Sequence, residues 1–408
     1  MNLGRGAACL AAVCVFAPSC AQAAAWTADP SLELSSGGND NYGLAFDRRD
    51  RIGWLSMTGG LVASRETENM TTRLNASLVG LLLRGDRRQN EWQDSVALSH
   101  TLKGPVDTFA FDAKTSRDET LQTPSSSADL LIGRGLQRDT SGDASWDHRI
   151  TERLGASAVL GVVRARYSAS LAGAHDYQNG SGSVSLRYLL DERTSVNATL
   201  AHQDYRTLDD GVRVLTDSLT LGGGRALTET SNAALSLGAY RSRSSVLQAV
   251  LACPGNASEC EGGSAIVVAQ VGHLARWGVQ YNASFDDQLS ERTRVSMAAA
   301  RQQDPSGAGV TVLGDSLRAG IEHASSETLR GSLTYTRSSA RYQGIAGGQA
   351  SRLQTLAATL SKSLSPQLSL RATADYKRSA QAFDSARAHA AGISLTLRYE
   401  WQRLEARH

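Results

Sequence analysis

The sequence has little cysteine, little proline and no long apolar run beyond its first residues. Five cysteines and seven prolines stand against 38 glycines in 408 residues. That balance excludes a collagen-like or disordered chain and suits short strands joined by turns. After the opening segment nothing stays apolar for the about 20 residues that a membrane-crossing helix needs, which excludes a helical membrane protein. An excess of one charge is also missing. Lys and Arg number 42 against 40 Asp and Glu, and a net charge of +2 suggests no nucleic-acid partner. A mean hydropathy of −0.27 leaves a transmembrane barrel open, because half of every barrel strand is polar.

What is present begins with an export signal. Met1 to Arg5 is short and basic, Ala7 to Ala17 is almost wholly apolar, and Ala21-Gln22-Ala23 is a small-x-small site. This is the order of a secretory signal peptide. Residues 1–23 are expected to be cleaved, leaving 24–408 as one domain of net charge +1, since Arg5 leaves and no acid does. Cys20 raises a lipoprotein alternative, but Ala17-Pro18-Ser19-Cys20 lacks the Leu expected three residues earlier. Cys9, Cys14 and Cys20 go with the signal. Cys253 and Cys260 remain, bracketing Pro-Gly-Asn-Ala-Ser-Glu, and in an oxidising compartment they are expected to form a small loop disulfide. The loop holds no His or further Cys for a metal.

Gly392 to Trp401 carries the clearest pattern. Leu395, Leu397, Tyr399 and Trp401 alternate with Ser394, Thr396, Arg398 and Glu400. Period two marks a strand with a different solvent on each face. This suits the closing strand of a transmembrane barrel, which pairs with the first strand and leaves no edge. A soluble sheet with one wet face would alternate likewise, so the remaining chain decides. Val184, Leu186 and Tyr188 oppose Ser185 and Arg187; Leu317, Ala319 and Ile321 oppose Arg318 and Glu322. Leu329, Leu333 and Tyr335 oppose Arg330, and Leu370, Ala374 and Tyr376 oppose Arg371 and Asp375. A thin apolar face against a well-charged one fits a wide interior holding water or loops.

Between these segments a turn recurs: Ile150-Thr-Glu-Arg-Leu154, Leu190-Asp-Glu-Arg-Thr194, Leu227-Thr-Glu-Thr-Ser231, Leu289-Ser-Glu-Arg-Thr293, Ser325-Ser-Glu-Thr-Leu329 and Leu364-Ser-Pro-Gln-Leu368. Ser, Thr or Asp before Glu or Pro starts a tight turn, because the side-chain oxygen bonds the turn's own backbone. The centres recur at roughly 36 to 40 residues, one longer gap aside, which is two strands and their connections. A helical solenoid of that period would need segments of period 3.6. Longer linkers alternate with the turns: Ser168 to Tyr177, Arg206 to Val212, Ser244 to Ser264, Gln303 to Val310, Arg341 to Gln349 and Ser379 to Arg387. Short turns on the periplasmic side and longer loops outside would match this asymmetry. Earlier strands are expected at Leu32 to Leu34, Ile52 to Ala63, Thr72 to Leu83, Trp92 to Leu102 and Val106 to Lys114, and Ser125 to Arg138 is ambiguous. The expected fold is all-β: a single antiparallel up-and-down transmembrane barrel of about 14 to 18 strands.

Ser116-Arg-Asp-Glu-Thr-Leu121, Ser145-Trp146-Asp-His-Arg-Ile-Thr-Glu-Arg153 and the opening Trp26-Thr-Ala-Asp-Pro-Ser-Leu-Glu-Leu34 with Asn39-Asp40-Asn41 resemble the outer-membrane barrels associated with exosortase (PEP-CTERM) and exopolysaccharide systems. The resemblance covers nearly the whole mature chain. It implies the outer membrane of a Gram-negative bacterium, and a link to surface polysaccharide or its export machinery. It carries over no catalytic residue. Most such barrels stop at the closing aromatic, whereas Gln402 to His408 follow Trp401 here. Either the assembly signal is internal or the last strand runs further.

Enzyme chemistry has few footholds. Ser99-His100 and His202-Gln203-Asp204 could be sought as parts of a catalytic dyad or triad, but no spacing makes nucleophile, base and orienter converge. Gly222-Gly223-Gly224 and Gly347-Gly348 lack the Lys-Ser/Thr and helix of a phosphate loop and read as bends or loops. Asp209-Asp210 and Asp286-Asp287 read as solvated turn residues rather than a cation site. No cofactor is expected, and no motif sets an oligomeric state. The functional candidates are the charges expected to face the lumen: Arg187, Arg318, Glu322, Arg330, Arg371, Asp375, Arg398 and Glu400. They would either line a polar passage or pair across the interior and hold the wall. The expected function is an outer-membrane pore or scaffold in polysaccharide export or biofilm matrix assembly. A non-conducting, adhesin-like barrel is the second reading, and a lipid- or glycan-modifying enzyme the third.

Overall fold

The turn residues act as their chemistry predicts. Thr151 Oγ1 accepts the Leu154 amide at 2.9 Å, Ser365 Oγ accepts that of Leu368 at 3.0 Å and Asp191 Oδ1 accepts that of Arg193 at 2.7 Å. Each turn is closed by its own first side chain, and two alternating segments are thereby set antiparallel. The structure, a computed structural model, describes residues 26–44, 50–86, 89–119, 135–168, 174–209, 211–252, 266–306, 311–343, 350–381, 387–401 and 404–406. The expected signal peptide, Cys253, Cys260 and Gly347-Gly348 lie outside the described residues.

In chain order the strands are β1 (Trp26–Asn39), β2 (Ile52–Glu66), β3 (Met70–Gly85), β4 (Gln89–Lys103), β5 (Asp107–Glu119) and β6 (Leu136–Arg149). Then come β7 (Leu154–Tyr167), β8 (Tyr177–Leu189), β9 (Thr194–Thr207), β10 (Val212–Ala226), β11 (Ser231–Ala252) and β12 (Ile266–Ser290). The last are β13 (Thr293–Pro305), β14 (Thr311–Ala324), β15 (Leu329–Gln343), β16 (Ala350–Ser363), β17 (Leu368–Gln381), β18 (Arg387–Glu400) and β19 (Leu404–Ala406). Each strand up to β18 pairs antiparallel with its sequence neighbours, and β1 also pairs with β18 from Ser31 to Asn39.

β18 and β19 form one interrupted stave. Glu400 lies opposite Ser31 and Leu404 opposite Ala28, so the ladder to β1 resumes after an interruption at Asp29 and Pro30. Pro30 has no N–H to give, but its carbonyl accepts the Trp401 amide at 3.1 Å. The wall is therefore a closed antiparallel barrel of 18 staves, at the upper end of the expected range. The closing strand ends at Glu400 rather than Trp401, and Leu404–Ala406 continue the wall on β1. Tyr399 and Trp401 meet edge to face, with centroids 5.0 Å apart.

Contacts across the ring identify the inner face. The Tyr205 hydroxyl of β9 reaches Ser306 beyond β13, and the Tyr42 hydroxyl beyond β1 reaches Glu119 of β5 at 2.9 Å. Staves so far apart can touch only through the enclosed space. By alternation, Leu200 of β9 points outward, as do Leu160, Leu221, Val279 and Ile393 on their own staves, all of them exposed. A continuous outward apolar band around a closed wall is the surface that lipid covers.

Buried residues gather at the end carrying the long connections. Ala165, Tyr177, Tyr205 and Val214 form one inward cluster, and Ile52, Leu81 and Leu83 another, against Tyr42 and Trp54. Two sequence readings change. Gly222, Gly223 and Gly224 lie inside β10 rather than in a bend, and an added Cβ on Gly222 would meet Asn197 Oδ1 at 2.8 Å. Asp286 and Asp287 belong to β12 rather than to an exposed turn; Asp286 pairs with Arg294 at 2.9 Å and Asp287 accepts the Ser231 hydroxyl at 2.6 Å.

Candidate functional site: the lumen

The lumen is shaped first by a departure from the wall. β12 pairs with β13 only as far as Tyr281 and Arg301, yet goes on pairing with β11 to Ile266. β13 and β14 stay together up to Pro305 and Thr311. The upper part of this hairpin has lost β12 and lies against the inner face of β9, β10 and β11. Gln303 shares the outward parity of Met297, but there its side chain is buried against that inner wall. Its Nε2 donates to Ser242 Oγ at 3.2 Å and Thr311 Oγ1 at 2.6 Å, and the Thr216 hydroxyl donates to its Oε1 at 3.5 Å. The Tyr205 hydroxyl donates to the Ser306 carbonyl at 2.7 Å. Beside this seat Tyr240 is buried, its ring filling the place where a Cβ on Gly278 would stand, so only glycine fits opposite it.

Charge shapes the lumen second. All eight candidate lumen residues have inward parity: Arg187 on β8, Arg318 and Glu322 on β14, Arg330 on β15, Arg371 and Asp375 on β17, and Arg398 and Glu400 on β18. Several pair along their own wall: Arg330 with Glu322 at 3.9 Å, Arg398 with Glu400 at 2.9 Å and Asp375 with Lys377 at 3.8 Å. Arg187, Arg318 and Arg371 are exposed and make no ion pair among the described residues. Arg187 shares a recess near the tight turns with Lys103, Asp147 and Arg149.

Sequence reading missed the opposing wall. Asp112 of β5 and Asp143 of β6 stand directly opposite each other with inward parity, and Asp147 follows along β6. β5 and β14 lie half-way round the ring from one another. An acidic inner wall thus faces the basic wall of Arg318 and Arg371. Facing backbones of such a barrel stand roughly 35 Å apart, from a strand spacing of about 4.8 Å and a tilt near 40°. Screening in physiological salt acts over about 8 Å. The two walls therefore do not neutralise each other across the interior. Alternation alone, extended to β5 and β6, would have found the acids.

The footholds for enzyme chemistry come apart. Ser99 points inward and His100 outward, where its Nδ1 lies 2.9 Å from the Thr72 hydroxyl. His202 and Asp204 point outward; His202 lies 2.7 Å from Asp217, which also takes Arg243 at 2.9 Å. Among the described residues no group of three or more His, Cys, Asp or Glu could hold a metal. Asp209, in the connection after β9, is held down to about 2 by the Thr207 side chain, with His175 and the Gly211 amide adding to it. It lies 2.8 Å from His175, so it is a loop clasp rather than an isolated solvated residue. In its turn, Asp191 is lowered by the Arg193 amide.

No protein-family model matches the chain, and no curated protein sequence matches it. Similar solved structures include OccAB3 of Acinetobacter baumannii, 11% identical, TM-score 0.48, covering 93% of this chain and 99% of that one. The outer membrane protein OpdK of Pseudomonas aeruginosa is 13% identical, TM-score 0.46, with 92% and 99% covered. The ferric-catecholate import receptor Fiu of E. coli K12 is 10% identical, TM-score 0.46, with 91% and 82% covered.

Proposed function

We propose that the chain spans a Gram-negative outer membrane as a barrel, tight turns in the periplasm and long connections outside, and passes small polar solutes through its lumen. The carrying observation is the acidic wall of Asp112, Asp143 and Asp147 facing the basic wall of Arg318 and Arg371, with the β13–β14 hairpin laid across the inner face. Such an interior sets a separate field close to each wall. An anionic group is drawn to the basic wall and a cationic group to the acidic one, and a solute carrying neither gains nothing. The outward apolar band supplies the membrane contact and no bond chemistry is needed.

Planar-bilayer recording of the refolded chain tests this reading, with heat-modifiable gel mobility to show folding. Stable ohmic steps support a passage. A folded barrel without conductance would overturn it in favour of a surface-binding platform. The finer assignment, export of a surface polysaccharide, rests on the sequence resemblance, and block of the steps by oligosaccharides is the arm that tests it.

A further inference from the structure

The outward face changes character toward the long connections. Along β7 the outward residues run Leu154, Ala156, Ala158, Leu160 and Val162, then Arg164 and Arg166. The apolar part covers about 26 Å of strand, or about 20 Å of height once tilted, close to the band of a membrane barrel. The arginines therefore stand where one leaflet's headgroups lie.

Their arrangement is costly. Arg117 lies directly opposite Arg138, and Arg138 directly opposite Arg166, a row of three like charges over β5, β6 and β7 with Arg164 beside it. Like charges directly opposite on one face destabilise a sheet. Elsewhere on the same outer rim the protein supplies the counter-charge itself: Asp204 for Arg213 at 2.7 Å, Asp217 for Arg243 at 2.9 Å and Asp315 for Arg301 at 2.6 Å. Two acids border the β5–β7 row, Asp94 of β4 directly opposite Arg117 and Asp176, which accepts the Tyr167 amide beside Arg166, yet no ion pair is made in the row among the described residues, and Arg138, Arg164 and Arg166 are exposed.

We propose that this row is a docking surface for a lipid headgroup carrying more than one phosphate, in the leaflet that meets the long connections. The planar guanidinium matches phosphate oxygens in a bidentate way, and adjacent guanidinia suit adjacent phosphates. A zwitterionic headgroup carries its own amine and leaves the row uncompensated. The position next to the apolar band commits the occupant to a lipid rather than a free anion, because acyl chains and phosphate are satisfied together. The inference rests on the membrane reading above.

The test uses the refolded full chain in phosphatidylcholine vesicles doped with diphosphoryl lipid A, its monophosphoryl form, or neither. The lipid retained after detergent extraction is measured by mass spectrometry. Wild type is expected to retain the diphosphoryl lipid at least tenfold over Arg117→Gln/Arg138→Gln/Arg166→Gln, and retention should fall with salt. Inorganic phosphate at equal concentration should displace little of it. Equal retention by wild type and the triple variant overturns the proposal, as does displacement by phosphate alone. If the triple variant does not fold, Arg138→Gln carries the same comparison. Insertion of wild type into plain phosphatidylcholine without lipid preference removes the phosphate site and leaves the membrane reading. Failure to insert removes both.

Discussion

The Tyr205 hydroxyl donates to the Ser306 carbonyl at 2.7 Å, a buried bond between residues 101 positions apart. It fastens the end of β13 to β9. What narrows the lumen is held by side-chain hydrogen bonds, this one and those of Gln303 with Ser242 and Thr216, rather than by the wall's own ladder.

Tyr205→Phe leaves that carbonyl without its donor at nearly constant shape. The loss is expected to be about 1 kcal/mol. Thermal unfolding should shift down slightly, and with Gln303→Ala added, which removes the bonds to Ser242 and Thr216, single-channel traces should become noisier or larger in step as the hairpin leaves its seat. Unchanged traces in the double variant would show that the hairpin does not set the conductance.

Gly278→Ala puts a methyl group into the Tyr240 ring. Overpacking of this kind costs about 1 to 3 kcal/mol. Equilibrium unfolding in urea should report it, and Tyr240→Ala on the same background should recover part of the loss by opening space.

Removing basic charge from one lumen wall should change ion preference. A unit charge about 4 Å from an ion in water is worth about 1 kcal/mol, or roughly a fivefold change in local ion concentration. Arg318→Ala with Arg371→Ala should move the reversal potential in a salt gradient toward cations. Asp112→Asn with Asp143→Asn should move it toward anions. No movement in either would mean that these walls lie off the conducting path.

The Asp209 clasp sets an acid limit on its connection. Its folded value of about 2 lies below the ordinary carboxylate value of about 3.9. The group therefore stabilises the fold above about pH 4, and that contribution is lost as pH falls toward 2. Hydrogen exchange at the Gly211 amide, corrected for intrinsic rate, should show more protection in wild type at pH 5 than near pH 2, whereas Asp209→Asn, whose amide oxygen still accepts that bond but does not titrate, should show the same protection at both.

Much of the wall was legible because lipid and water impose opposite demands on successive residues: Leu395, Leu397 and Tyr399 against Thr396 and Arg398 could hardly be anything but a strand. The turns were legible because Thr151, Asp191 and Ser365 bond their own backbone. Strand ends were not. Arg206, Ser244 and Ser379 read as the start of linkers, yet each lies inside a strand. Above the apolar band outward positions turn polar, as Arg164 and Arg166 do, and alternation vanishes although the ladder continues. The inward hairpin was hidden for another reason. Gln303 keeps the parity of its strand, and only the loss of β12 as a neighbour tells which surface it meets.

The seam between β1 and the last stave has a kinetic meaning. Trp26 pairs with Ala406, so the first described strand waits for the last before either edge is covered. All other pairings join neighbours in sequence and can form as hairpins, but this one closes the longest loop in the chain and is expected to be the slow step of assembly. Until it forms, two bare edges stand open to other chains. A short bridge between the two ends, with the chain opened instead in one of the long connections, would turn that slow step into a local hairpin.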